Sequence, residues 1–223
     1  MQIEKWSIVK TENPFDKPSN RFAHTMNLYK DYLIIFGGAG AYSKSSKMRV
    51  CNREMHVFDL KAQKWLQNIA NTKENIFSPT QRMYHVSAIY GNKLLIHGGI
   101  NTDDKKVYSD YFLLDLTEFK WKPLNKKYDI SSIIGARKMH TLTSVIPSDC
   151  YMKDINDLWT YNLKDCSKIL PYENWGMYMF GGYKHGVGQT NDLYLIKPFI
   201  KSKIKSRTGF KVKSTDHKAF SLE

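Results

Sequence analysis

The sequence predicts an all-β fold assembled from internal repeats, and three observations carry that expectation. An Arg-x-x-His segment is followed, thirteen residues after its histidine, by a Gly-Gly pair, first as His24 to Gly37-Gly38 and again as His85 to Gly98-Gly99. Each pair closes a short apolar run, Leu33-Ile34-Ile35-Phe36 in one and Leu94-Leu95-Ile96-His97 in the other. No stretch carries the 3.6-residue period of an amphipathic helix.

Taken in order, the chain divides into a series of units. Trp6-Ser7-Ile8-Val9, followed by Pro14 and Arg21, reads as the end of one repeat leading into the next. The first unit, 10–69, holds Arg21 and His24, Gly37 and Gly38, then Met55-His56-Val57-Phe58-Asp59-Leu60 and Trp65. The second, 70–125, repeats this with Arg82, His85, Gly98, Gly99, Tyr111-Phe112-Leu113-Leu114-Asp115-Leu116 and Trp121. The Asp-to-Trp distance is six in both. A third unit, 126–170, has Arg137 and His140, but Lys153-Asp154 stands where the glycine pair is due, ahead of Asn156-Asp157-Leu158. A fourth, 171–196, has Met177-Tyr178-Met179-Phe180, Gly181 and Gly182, then Asn191-Asp192-Leu193-Tyr194, with no Arg-x-x-His before it. The acidic positions Glu54, Asp110, Asp157 and Asp192 are spaced by 56, 47 and 35 residues, and the last interval is short for four strands. Residues 1–9 are left to complete this last unit, which is what the family resemblance described below implies.

The residue chemistry supports strands. Runs of β-branched, aromatic and large aliphatic residues bounded by Gly, Asn, Asp and Pro read as β. Runs apolar at every position suit strands covered on both faces. The glycine pairs permit close approach where a side chain would clash. Trp65 and Trp121 suit the wedge between neighbouring sheets.

These residues resemble the kelch motif: Arg-x-x-His, an apolar run ending in Gly-Gly, Asn-Asp-Leu-Tyr, then Trp. The resemblance spans Trp6 to Ile196. It implies that each unit is one four-stranded blade of a β-propeller. About four blades are recognisable, the third and fourth degenerate, whereas kelch propellers usually close with about six. An open arc leaves strand edges that proteins cover or blunt. Either the chain is truncated or a partner protein is expected over the open edge.

Composition narrows the function classes. The chain has 223 residues, 42% of them hydrophobic and 13% aromatic, enough to build a core and unlike a disordered chain. Its longest apolar runs are about five residues, against about 20 for a membrane helix, and no secretory signal opens it. Membrane partners are therefore not expected. Cys51, Cys150 and Cys166 form neither an even framework nor a Cys-x-x-Cys pair, which points to reduced thiols and a cytoplasmic setting. The net charge is +13, and the tail 197–223 contributes eight Lys or Arg against Asp216 and Glu223.

His24, His85 and His140 share one repeat position, and His97 stands where other copies carry Phe36 and Phe180, so all four read as structural. No His-x-x-x-His or Cys/His spacing suggests zinc, and no cofactor is expected. The glycine-rich loop at Gly37–Lys47 lacks the Gly-Lys-Ser/Thr and following helix of a phosphate loop. Some kelch relatives are enzymes, including oxidases with a tyrosine–cysteine cofactor, but no matching motif occurs and no triad or carboxylate pair announces itself. The expected function is a non-catalytic scaffold or adaptor in a larger cytoplasmic, cytoskeletal or ciliary assembly. The other binding readings are a ribonucleoprotein-associated propeller and a substrate-reading subunit of a ubiquitin ligase; the five residues before Trp6 count against the last. Candidate contact residues lie in loops, where rigid scaffolds usually carry recognition. They are Lys44, Lys47, Arg49 and Arg53, then Lys105 and Lys106, then Lys184 and His185. Each such loop also reads as an ordinary solvated one. In the tail, Lys203, Lys205 and Arg207 belong to a segment that pairs as a strand, wraps an acidic partner such as RNA or tubulin, or serves as a plain solubilising tail.

Overall fold

The apolar runs ahead of each glycine pair form the second strands of successive antiparallel sheets. The computed structural model describes residues 7–45, 47–66, 77–122, 134–145, 176–198 and 210–214. In the first blade, β1 (Thr25–Tyr29) pairs with β2 (Tyr32–Phe36). A side hairpin of β3 (Ala39–Ser43) and β4 (Met48–Cys51) follows, then β5 (Met55–Asp59) and β6 (Lys64–Leu66), giving the order β1-β2-β5-β6. Asp59 shapes the last turn by accepting the Lys61 and Ala62 amides, each at 2.9 Å. The second blade repeats this with β7 (Val86–Tyr90), β8 (Lys93–His97), β9 (Tyr111–Asp115) and β10 (Lys120–Lys122).

The third blade departs from the expected division. After β11 (Arg137–Lys138), strand β12 (Thr141–Val145) pairs with β13 (Gly176–Phe180), joining Thr141 to Phe180 and Val145 to Gly176. The Arg-x-x-His of unit 126–170 and the glycine pair of unit 171–196 thus belong to one blade, with residues 146–175 between its first two strands. The described residues hold three four-stranded sheets in place of four units, with a two-stranded and a three-stranded sheet beside them. Asn156-Asp157-Leu158 lies outside the described residues. The strand after the third glycine pair is β16 (Leu193–Pro198), reached through a small ribbon of β14 (Tyr183–Lys184) and β15 (Gly188–Gln189) that pairs with β11.

The fourth strand of this blade comes from the tail. β17 (Phe210–Ser214) pairs with β16, aligning Pro198 with Phe210 and Tyr194 with Ser214. The expected boundary at 197 therefore cuts through a sheet, and the place assigned to residues 1–9 is taken by β17. The described residues ahead of β1 pack elsewhere. The Glu12 amide donates to the Gln63 carbonyl at 3.0 Å, and Asn13 grips Trp65, accepting its amide and donating to its carbonyl, each at 2.8 Å. This covers the outer edge of β6, the kind of exposed edge that invites unwanted pairing. Trp6 lies outside the described residues.

Alternating side chains place a core between adjacent blades. Between the first and second lie Ile34, Phe36, Val57, Leu94, Ile96 and Leu114, closed on the outside by Trp121, which is 3% exposed. Between the second and third lie Leu95, Tyr111, Leu113, Met177, Met179 and Ile196. The first strands converge on the inner side, where Asn27 donates to Ser87 at 2.5 Å and the Ser144 hydroxyl bonds the Ile89 carbonyl. No helix among the described residues is long and apolar enough to cross a membrane.

The glycine pairs set the spacing of the blades. A Cβ on Gly98, at φ +67°, would stand 2.5 Å from the Arg137 carbonyl oxygen and 3.0 Å from the His140 ring. One on Gly186, at φ +78°, would meet nothing within 4 Å. Gly186→Ala is therefore expected to cost about 1 kcal/mol, from backbone strain alone. Gly98→Ala should cost about 2 kcal/mol more, because a neighbouring blade must shift. Urea midpoints at constant slope measure both.

Candidate functional site

Each blade carries the same clamp. Arg82 Nη1 donates to the Gly98 carbonyl at 3.0 Å, and its two Nη atoms grip Asp110 at 2.6 and 3.1 Å. Arg21 reaches the Gly37 carbonyl at 3.1 Å and Glu54 at 3.4 Å. Arg137 reaches the Gly181 carbonyl at 3.1 Å and Asp192 at 3.6 Å. The side chains of Arg82 and Arg137 are wholly buried. A planar guanidinium fork can bond a carbonyl and a carboxylate together, which an ammonium cannot reproduce. The glycine ends the second strand and the acid precedes the third, so the clamp ties together both ends of the connecting loop. That places the loops of all three blades at one end of the arc.

The backbone of the same arginines joins blade to blade. The Gly38 amide donates to the Arg82 carbonyl and the Gly99 amide to the Arg137 carbonyl, both at 2.9 Å. The repeated histidines fill the same joints. The His85 ring meets Phe36 edge-on at 5.3 Å between centroids, with Nε2 2.9 Å from Thr25 Oγ1. In the next joint the phenylalanine is replaced by His97, whose Nδ1 lies 3.0 Å from His140 Nε2. His24, with no described blade before it, is exposed.

Burial, reinforced by the Arg82 charge, lowers His85 to about 3. Burial and then the Arg137 charge lower His140 to about 3 as well. Complete burial, followed by repulsion from His140 and Arg137, holds His97 well below the usual histidine range. All three are neutral packing groups near neutral pH. Among the described residues no cluster of three or more His, Cys, Asp or Glu is placed to hold a metal.

The loops carry the exposed chemistry. Lys44, Lys47 and Arg49 are exposed on the β3–β4 hairpin, with Arg49 5.7 Å above the Tyr42 ring and bonded to the Gly40 carbonyl at 2.9 Å. Lys105 and Lys106 are exposed on the next loop, together with Asp103 and Asp104. The two loops are tied: Thr102 Oγ1 donates to the Arg49 carbonyl at 2.6 Å and lies 3.4 Å from the buried Cys51 sulfur. His185 is exposed on the third loop. Two candidates are less available. Arg53 is half-buried and donates to Ser78 at 3.2 Å, and the half-buried Lys184 lays its stem against Gly135. Lys203, Lys205 and Arg207 lie outside the described residues.

Sequence reasoning used Glu54, Asp110 and Asp192 only as spacing markers and missed them as clamp partners. The available signal was an acid at the same place in every copy that has both an arginine and a glycine pair. The Thr102–Arg49 tie has no sequence signal, because it depends on how two loops meet.

Comparison with known proteins gives consistent results. The family model described as the KLHDC2/KLHL20/DRC7 Kelch-repeats domain matches residues 1–153. Adagio protein 3 of Arabidopsis thaliana is 27% identical over 175 residues, covering 74% of this chain and 26% of that protein. Kelch domain-containing protein 2 of Bos taurus is 27% identical over 168 residues, covering 65% of this chain and 39% of that one. The chain thus spans well under half the length of either relative. The solved structure of YjhT matches with a TM-score of 0.52 at 11% identity, covering 88% of this chain and 52% of that one.

Two outcomes follow from the buried groups. Arg82→Lys is expected to lose about 2 kcal/mol of stability, since lysine keeps the charge but cannot hold Gly98 and Asp110 together. The loss is read from thermal or urea unfolding. The histidines give an acid sensitivity. The unfolded chain binds their protons near pH 6.5, whereas the folded His85 and His140 stay neutral down to about 3. Between those values the unfolded state holds more protons, so stability falls as pH drops, by up to about 1.4 kcal/mol per pH unit for each histidine. His97→Phe recreates the Phe36–His85 joint and should flatten that slope by about one proton while keeping the fold at pH 7, as urea titrations across the window would show.

Proposed function

The chain belongs to the kelch-repeat family, and on that footing we propose that it is a non-catalytic protein-binding module in a larger cytoplasmic assembly. One observation carries the reading: the connecting loops of three blades emerge at one end, and the first two present Lys44, Lys47, Arg49, Lys105 and Lys106 to solvent. These cations stand on a frame fixed by the arginine clamps and the Thr102 tie, so little ordering is lost on binding. Their chemistry suits an acidic segment of a protein partner, with Tyr42 and Arg49 adding a flat contact surface.

This reading favours a protein over RNA. Among the described residues the loops expose the Tyr42 and Tyr183 rings but no row of rings on which unpaired bases would stack. In the tail, Lys211 and Lys213 belong to β17 and are not part of a free basic strand.

Binding of a fluorescent polyglutamate peptide and of single-stranded oligouridylate tests the proposal. The wild-type chain should bind the peptide at low salt. The triple variant Lys44→Glu, Lys47→Glu, Arg49→Glu should bind at least about tenfold more weakly, with an unchanged melting temperature. Unchanged peptide affinity in the variant would overturn the rim assignment. Oligouridylate binding much tighter than the peptide, with a steep salt slope, would move it to nucleic acid.

A further inference from the structure

The arc has two ends, and the joint between its blades recurs in their chemistry. At the internal joint of the first and second blades, the second blade presents Ile89, Leu94, Ile96, Leu114 and Trp121 to its neighbour. The corresponding positions of the first blade are Leu28, Leu33, Ile35, Phe58 and Trp65, on a face that no other described blade covers. Met26 and Leu28 there are 58% and 59% exposed, apolar side chains left in water.

The other end offers the matching half. His85 is seated by Thr25 and Phe36, which are paired across β1 and β2. At the far face of the third blade, Thr141 and Phe180 are paired across β12 and β13 in the same register. No described histidine meets them, and Phe180 is 51% exposed. The exposed histidine of the series is His24, on the first blade. The glycine sockets agree. A Cβ on Gly37 or Gly98 would strike the next blade's arginine carbonyl and histidine ring, whereas one on Gly181 would meet only the Thr190 carbonyl, at 3.2 Å. Among the described residues, one end thus lacks a seat for His24, and the other holds an empty seat of the same residue types as the filled one.

We propose that two copies of this chain close on each other, the first blade of each docking against the third blade of the other. His24 of one copy then enters the Thr141–Phe180 seat of the second copy, and its Arg21 carbonyl receives the Gly182 amide, continuing the joint already built twice within each chain. A two-fold axis along the channel generates both joints at once and leaves no open edge. The proposal rests on the fold and the joints, not on the basic rim, so the two readings fail separately.

The test is the solution mass of the full chain at tens of micromolar, by light scattering and sedimentation equilibrium. The expected result is twice the 26.0 kDa of one chain. Leu28→Glu and Phe180→Glu alter opposite ends at exposed positions. Each alone should raise the dimer dissociation constant at least about a hundredfold, with wild-type circular dichroism. Mixing the two variants should restore a dimer, because the mixed pair keeps one joint free of both substitutions. A monodisperse wild-type monomer would overturn the proposal and leave the end faces to further blades of a longer polypeptide or to another protein. A dimer that survives either substitution, or that mixing does not restore, would also overturn it.

Discussion

A carbonyl oxygen that leaves no room for a Cβ governs this structure. The Arg82 and Arg137 carbonyls stand 2.8 and 2.5 Å from where side chains at Gly37 and Gly98 would begin. Only glycine lets adjacent sheets come that close, and only at positive φ does the chain turn out of the second strand there. The distance between blades follows from it, and so does the depth at which Trp121 and the leucines of the intervening core interlock. The same arginines then act through their side chains within their own blade. One residue type therefore sets both the spacing between sheets and the position of each sheet's loop.

Much of the fold was legible because the repeated residues are those that make these close contacts. Arginine, histidine and the glycine pair recur at fixed spacing in the first two blades since each must reach the same atoms. The third blade was misdivided for a physical reason. Spacing identifies a unit only while the hairpin between its first two strands is tight, and residues 146–175 separate β12 from β13. Joining the two strands across that length costs only slowly growing loop entropy, about 0.6 kcal/mol per doubling, so the sheet tolerates what the pattern does not. Arg137 and Asp192 remain partners across the insertion, at 3.6 Å.

The outer strands were harder to foresee. β17 carries no glycine pair or tryptophan to identify it, and its place beside β16 shows only in the backbone register. The contact loops were legible as loops from their charge and glycine content. Their relation to each other was not, because Thr102, Arg49 and Cys51 meet only through the approach of two blades.

The third sheet draws its four strands from the most widely separated parts of the chain, and this bears on how the molecule is made. In the first two blades, successive strands are near neighbours in sequence and can pair soon after they leave the ribosome. The third cannot be finished until Phe210–Ser214 has been synthesised. Until β13 and β16 have followed, the apolar back of the second blade, Leu95, Tyr111 and Leu113, stands without the cover of Met177, Met179 and Ile196. The second blade is thus left open on one side for longer than the first while the chain is being made.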